Sequence, residues 1–354
     1  FRQLQVGQLL IELVADSQNP ADQQAGPDPD LPADHEDALF VFPVELESRI
    51  LQIDNTRIHW NDGQWSQGIL QGAVTISGST INVSEAVVDD ARLELRDPDQ
   101  DAPAAAGQID LPRINLPLEL VVGKLLLERP AWDAYGDRRA LRSLLVQGRW
   151  QRTVLQLGQL RIRSVDYGTV ALAGQVDFSA NWPLEVAGEA EVADLDGWPT
   201  QLERRATIEA SGDLAALHLQ LLLGEDTRVQ LEAQVNTLDT ELPFQANATA
   251  QWPGELLPSG WLTLPDTLAQ LQLSSPLRMA AGGTLASQHF QLQASGSVPE
   301  LPALALELAG RHEAGVLTIE DMRLQDQAAT NTLWGLGQVT LGQPMQWSAT
   351  LESS

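Results

Sequence analysis

The sequence predicts an all-β protein with few or no helices. Three observations carry this. Apolar and polar residues alternate with period two through most of the chain, as in Val170, Leu172, Gly174, Val176 and Phe178 against Ala171, Ala173, Gln175, Asp177 and Ser179. Turn signals such as Asn61-Asp62-Gly63 and Gly282-Gly283 separate these stretches about every 8 to 12 residues. Hydrophobic residues are 43% and charged residues 19% of 354, a profile that supports a folded chain.

Residues 1–15 read as a leading strand, and residues 16–38 as an acidic, Pro-rich flexible loop with almost nothing to bury. A first β repeat spans 39–96. A linker at 97–110 leads to a second repeat and a continuing β structure over 111–354. The repeat rests on Phe42 to Asp54 lying 74 positions before Leu116 to Glu128, with Pro43 on Pro117, Leu46 on Leu120 and Leu51 on Leu125. Further on, Ile81 and Val83 fall on Leu155 and Leu157. Asp137 to Gly148 places Leu141, Leu144 and Leu145 at helical spacing, but the repeat sets it opposite the strand pattern Gln64 to Val74 and favours a strand. Gly254 to Leu271 is an apolar insertion with room for a short helix. Pro183, Pro243, Pro302 and Pro344 each precede a fresh alternating stretch; a residue without an amide donor suits the point where a strand begins.

The charge is −27, with Lys124 the one lysine. Phosphate backbones repel such a chain, which argues against nucleic-acid binding. The absence of cysteine excludes disulfides, thiolate metal sites and a cysteine nucleophile. No apolar run reaches the roughly 18 residues of a spanning helix, so a membrane anchor is expected outside this sequence, and Phe1 in place of Met reads as a mature or excised fragment.

Catalytic and metal motifs fail one by one. Asp97, Asp99 and Asp101 open like a calcium loop, but Ala102 and Gln108 stand where Gly and Glu belong. His35, His59, His218, His289 and His312 are scattered, and no nucleophile elbow or phosphate loop is present. Gly335 and Gly337 lie in a strand pattern without the third glycine of a dinucleotide loop. His59 to Trp65 reads as a hairpin turn rather than a sugar platform. Arg138, Arg139, Arg142, Arg149, Arg152, Arg161 and Arg163 form a basic island, either a solvated face or a meeting point for headgroups or an acidic partner. No catalytic residue, metal or cofactor is expected.

The segments Phe42 to Trp65, Gln71 to Leu95 and Val146 to Val192, with the acidic Pro-rich insertions, resemble the periplasmic β repeats of the TamB family in the AsmA-like superfamily. The resemblance implies an elongated, twisted antiparallel sheet curled into a taco-like trough with an apolar interior. It implies a periplasmic location, as part of a protein anchored in the inner membrane of a Gram-negative cell. It further implies conduction of phospholipids between inner and outer membrane, and an outer-membrane barrel partner (TamA-like) reached through regions outside this segment. The physics agrees with a conduit: removing an acyl chain from water gains about 0.8 kcal/mol per CH₂, roughly 13 kcal/mol for 16 carbons. The expected trough lining is Leu155, Leu157, Leu160, Ile162, Val170, Leu172, Val176, Phe178, Leu184, Val186 and Val192, with Gln175, Asp177 and Glu185 facing water. The alternative is a structural scaffold for outer-membrane protein insertion, in which the apolar faces pack on one another.

Overall fold

The computed structural model describes residues 4–6, 9–12, 39–60, 63–95, 109, 111–134, 137–164, 166–193, 203–224, 228–251, 272–297, 303–326, 331–340 and 346–353. The described residues form strands and connecting turns, with no helix. The acidic loop 16–37, the calcium-like segment 97–108 and the insertion 254–271 lie outside them. The chain divides into two compact units: Phe1–Ala105 with Pro112–Ala180, and Ala106–Leu111 with Asn181–Ser354.

The first unit contains β1 (Leu4–Val6), β2 (Leu9–Glu12), β3 (Leu46–Trp60), β4 (Gly63–Ser77), β5 (Thr80–Asp89) and β6 (Arg92–Leu95). It continues with β7 (Leu116–Glu128), β8 (Ala131–Ala134), β9 (Asp137–Ala140), β10 (Ser143–Arg152), β11 (Val154–Arg163) and β12 (Gly168–Asp177). Hairpin neighbours pair antiparallel. Three joints are parallel: β1 and β2 on β3, β5 on β7, and β6 on β8. A parallel joint needs a long connection to bring the chain back to the same end, and the polar insertions supply it.

Strand ends reproduce the 74-residue offset. β3 ends at Trp60 and β8 at Ala134; β4 begins at Gly63 and β9 at Asp137; β5 covers Thr80–Asp89 and β11 Val154–Arg163. Asn55 (φ 54°) and Arg129 (φ 51°), separated by the same offset, both hold left-handed backbone. Asp137 to Arg152 is strand, interrupted at Leu141-Arg142. The alternation of Leu144, Val146, Gly148 and Trp150 across one face outweighs the local helical spacing, because each finds a cross-strand partner on β7 and β11.

Register shifts cross this unit at one level, at Ser48/Leu51 on β3, Ala73/Val74 on β4, Val146/Gly148 on β10 and Leu157/Leu160 on β11. A bulged strand bends and twists more strongly, so bulges in line curl neighbouring strands together. Gly123 on β7 belongs to this line: a Cβ there would stand 2.6 Å from the Ser84 carbonyl oxygen, which requires a residue without one.

The second unit is an antiparallel meander of β13 (Leu184–Val192), β14 (Arg205–Asp213), β15 (Ala216–Leu223), β16 (Arg228–Val235), β17 (Phe244–Gln251) and β18 (Gln272–Leu273). β19 (Leu277–Gly283), β20 (Ser287–Ser297), β21 (Leu304–Glu313), β22 (Val316–Asp326), β23 (Thr332–Thr340) and β24 (Gln346–Ser353) complete it. β17 pairs with β19, and β18 and β19 both pair with β20. Pro183 and Pro243 directly precede β13 and β17, each following a residue with positive φ, Trp182 (55°) and Leu242 (49°). Among the described residues no pairing joins β24 back to β13, so the ladder is open.

Candidate functional site: a one-sided apolar face

Cross-strand partners in a ladder lie side by side on the same face, so a register can be followed from strand to strand. In the second unit one register runs Val186, Ala210, Leu219, Ala233, Ala246, Ala281, Phe290, Gly310, Ile319, Gly337 and Ala349. The next runs Gly188, Ile208, Leu221, Leu231, Ala248, Met279, Leu292, Leu308, Met322, Gly335 and Leu351. Neither contains a polar side chain. Both cross the strands at right angles, over ten strand spacings, a path on the order of 48 Å.

The opposite face is mainly polar, with a few apolar members such as Ala187, Leu222 and Trp334. Its register adjoining the first of these is Glu185, Ser211, His218, Gln234, Gln245, Gly282, His289, Arg311, Thr318, Gln338 and Ser348. The exchange of one face for the other within a single residue is what period-two alternation produces.

The first unit has the same construction. Ile53, Leu70, Val88, Leu127, Leu144, Ile162 and Val170 share one register from β3 to β12. Leu51, Gly72, Ala86, Leu125, Val146, Leu160 and Leu172 share the next. Towards the other strand ends, Leu46, Ile76, Ile81, Leu120, Trp150, Leu155 and Val176 form a further one.

The eleven expected lining residues all sit on these apolar faces or at their ends, and all eleven are half-buried. Leu155, Leu157, Leu160, Ile162, Val170, Leu172 and Val176 come together on β11 and β12. Leu184, Val186 and Val192 lie on β13. Phe178 follows β12, its ring 5.2 Å from that of Trp150 with a 48° tilt. The larger part of the face lay outside that set: Leu219, Leu221, Leu231, Leu292 and Leu308 carry it through the second unit. Their signal was present as the alternations Leu217-His218-Leu219-Gln220-Leu221 and Phe290-Gln291-Leu292.

Half-burial is the informative property. A sealed sandwich would put both inner faces out of water, whereas here complete burial of apolar side chains is local. In the first unit it centres on Val88, Ala91 and Leu127, with Trp65, Leu70, Leu125 and Leu144 against them. Elsewhere, large apolar groups of the face remain open to solvent, among them Met279 and Leu351.

Of the residues expected to face water, Gln175 and Glu185 are exposed. Asp177 is half-buried. Hydrogen bonding from Thr153 holds its carboxyl below the ordinary carboxylate range, with further contributions from Ser179, whose N–H donates to Oδ1 at 3.1 Å, and from the charge of Arg113.

The basic island is partly neutralised from within. Arg149 pairs with Glu119, and Arg139 donates to the Tyr167 hydroxyl at 3.3 Å. Nearby, Arg129 bridges Asp89 at 2.7 Å and Asp90 at 3.1 Å, which raises its pKa, through Asp90 first and Asp89 second. Among the described residues no cluster of His, Asp and Glu is arranged to hold a metal ion, and no helix is long and apolar enough to cross a membrane.

A family model described as "TamB, N-terminal domain" matches residues 2–354, the length of the chain. No curated protein and no solved structure matches it.

Proposed function

The chain belongs to the TamB family, and on that premise we propose that it is a periplasmic, non-enzymatic segment whose apolar faces shield acyl chains and pass phospholipids between inner and outer membrane. The family is a transport and assembly module with a role in outer-membrane protein assembly or lipid transport, and it works with an outer-membrane partner. Membership also points to a periplasmic segment of a membrane-anchored protein.

One observation carries the lipid reading. Registers without a polar side chain cross every strand of the second unit's meander from β13 to β24, apart from the short β18, on a face that is only half-buried. Continuous apolar surface left open to water is costly for a protein that needs it only for folding. It is useful to an amphiphile whose chains can move along it without meeting a polar barrier. The aliphatic composition suits such movement, because alanine, glycine and leucine offer no hydrogen bonds and no ring-shaped pockets to hold one chain in place. Of the lining residues, Leu184, Val186 and Val192 lie on this face and Leu155 to Phe178 on the corresponding face of the first unit, and the outer-membrane partner engages through other parts of the protein.

The test is mass spectrometry of the protein purified in mild conditions. Phospholipid should co-purify in stoichiometric amounts. Protein that is consistently empty, with its apolar faces inaccessible to a hydrophobic dye, would favour the scaffold reading instead.

A further inference from the structure

One register of the second unit breaks the apolar pattern. It runs Leu184, Gly212, Leu217, Val235, Phe244, Gly283, Gln288, His312, Leu317, Val339 and Trp347, along the lip of the face where β19 to β23 turn. Gln288 and His312 are direct cross-strand partners and the two polar members. They lie beside Phe290 and Gly310 of the wholly apolar register, on the same face.

Their hydrogen bonds fix the chemistry. Gln288 Nε2 donates to the Leu285 carbonyl at 2.7 Å, so the amide oxygen is the atom turned to His312. That oxygen lies 2.8 Å from His312 Nδ1 and has only lone pairs to offer. Nδ1 therefore carries the hydrogen, and in the neutral ring the free lone pair is on Nε2. Among the described residues Nε2 has no protein partner, and no buried side-chain nitrogen or oxygen lacks one; the atom is therefore reachable from solvent.

From this the geometry points to a headgroup site: His312 Nε2, oriented by Gln288, accepts a hydrogen bond from the primary ammonium of a phospholipid whose acyl chains lie on the apolar registers. This rests on the lipid reading above and names the lipid class. An ammonium donor also suits the sign of the chain, which carries −27. A quaternary choline headgroup has the same charge and phosphate but no N–H, so it cannot make this bond. Gln288 is the positioning residue; without its oxygen the imidazole is free to turn and to exchange tautomers.

The experiment is native mass spectrometry of the whole chain with dioleoyl phosphatidylethanolamine and dioleoyl phosphatidylcholine at equal concentration. A single partly exposed hydrogen bond that replaces one to water predicts an occupancy ratio of about fivefold in favour of the ethanolamine lipid. His312→Leu and His312→Phe should each bring that ratio to about one, and Gln288→Leu should lower it. Two different replacements of His312 separate loss of the bond from a local packing defect, and a melting curve for each reports folding. Equal occupancy by the two lipids in the unaltered protein would overturn the headgroup site while leaving the conduit intact. A ratio that survives both His312 variants would overturn it too. Failure of both lipids to bind would remove the conduit reading, and the headgroup site with it.

Discussion

The ring of Trp150 lies 5.2 Å from that of Phe178, tilted by 48°, and closes one end of the apolar registers of the first unit. Trp150 also donates its indole N–H to the Arg152 carbonyl at 3.0 Å, which fixes the ring where β10 turns into β11. Offset aromatic pairs contribute about 0.5–1.5 kcal/mol beyond their buried area. A double-mutant cycle with Trp150→Leu and Phe178→Leu should therefore return a coupling of about 1 kcal/mol in chemical denaturation. Additive effects would show that the rings do not act as a pair.

Val176 and Val88 lie on the same face of the first unit and differ in burial: Val176 is half-buried, and Val88 is 4% exposed. A carboxylate at Val176 can keep part of its hydration, so Val176→Asp should leave the fold intact and abolish lipid occupancy. Val88→Asp strands the charge among Trp65, Leu70 and Leu127 and should cost several kcal/mol, on the order of 3 or more. Gln175→Asp, on the polar face, should do neither. Thermal melts and lipid analysis of the three variants test the distinction.

Gly310 lies beneath the Phe290 ring. A Cβ there would stand 2.8 Å from Phe290 Cζ and would also crowd the Thr318 carbonyl oxygen of the neighbouring strand. Gly310→Ala should destabilise the second unit by about 1–3 kcal/mol. Phe290→Leu in that background should recover the part due to the ring and leave the part due to the backbone oxygen. Denaturation midpoints of the single and double variants measure both.

Asp177 titrates below its ordinary range in the folded protein because Thr153 and Ser179 hydrogen-bond its carboxylate. A folded pKa below the unfolded value of about 3.9 means the ionised group stabilises the fold above that pH, and the contribution is lost as pH falls through the folded pKa. Asp177→Asn should therefore flatten the acid limb of the stability–pH curve, and Thr153→Val should flatten it partly. An acid limb identical to that of the unaltered protein would show that Asp177 makes no such contribution.

Much of this was legible in the sequence because period-two alternation maps directly onto faces. Val170 to Phe178 and Leu184 to Val192 read directly as alternating stretches, and the 74-residue offset separated strand from helix at Asp137 to Gly148, where local spacing alone was ambiguous. The parallel joints of β5 with β7 and of β6 with β8 were not legible. They depend on long-range pairing that local patterning does not encode. The half-buried state of Asp177 was hidden for a related reason: alternation assigns it to the polar face, but the turn residues that hydrogen-bond it are recruited by the end of the strand. The pairing of Gln288 with His312 was not legible either, because it depends on the register between β20 and β21.

Site-specific photo-crosslinking in intact cells tests the lipid reading most directly. A crosslinking side chain would be placed at Leu172, Leu221 or Leu292 on the apolar registers, and at the neighbouring polar-face positions Gln175, Gln220 and Gln291. An acyl-chain conduit predicts phospholipid adducts at the three leucine positions and none at the three glutamine positions. Equal labelling of both faces, or protein-only adducts at the leucines, would contradict it.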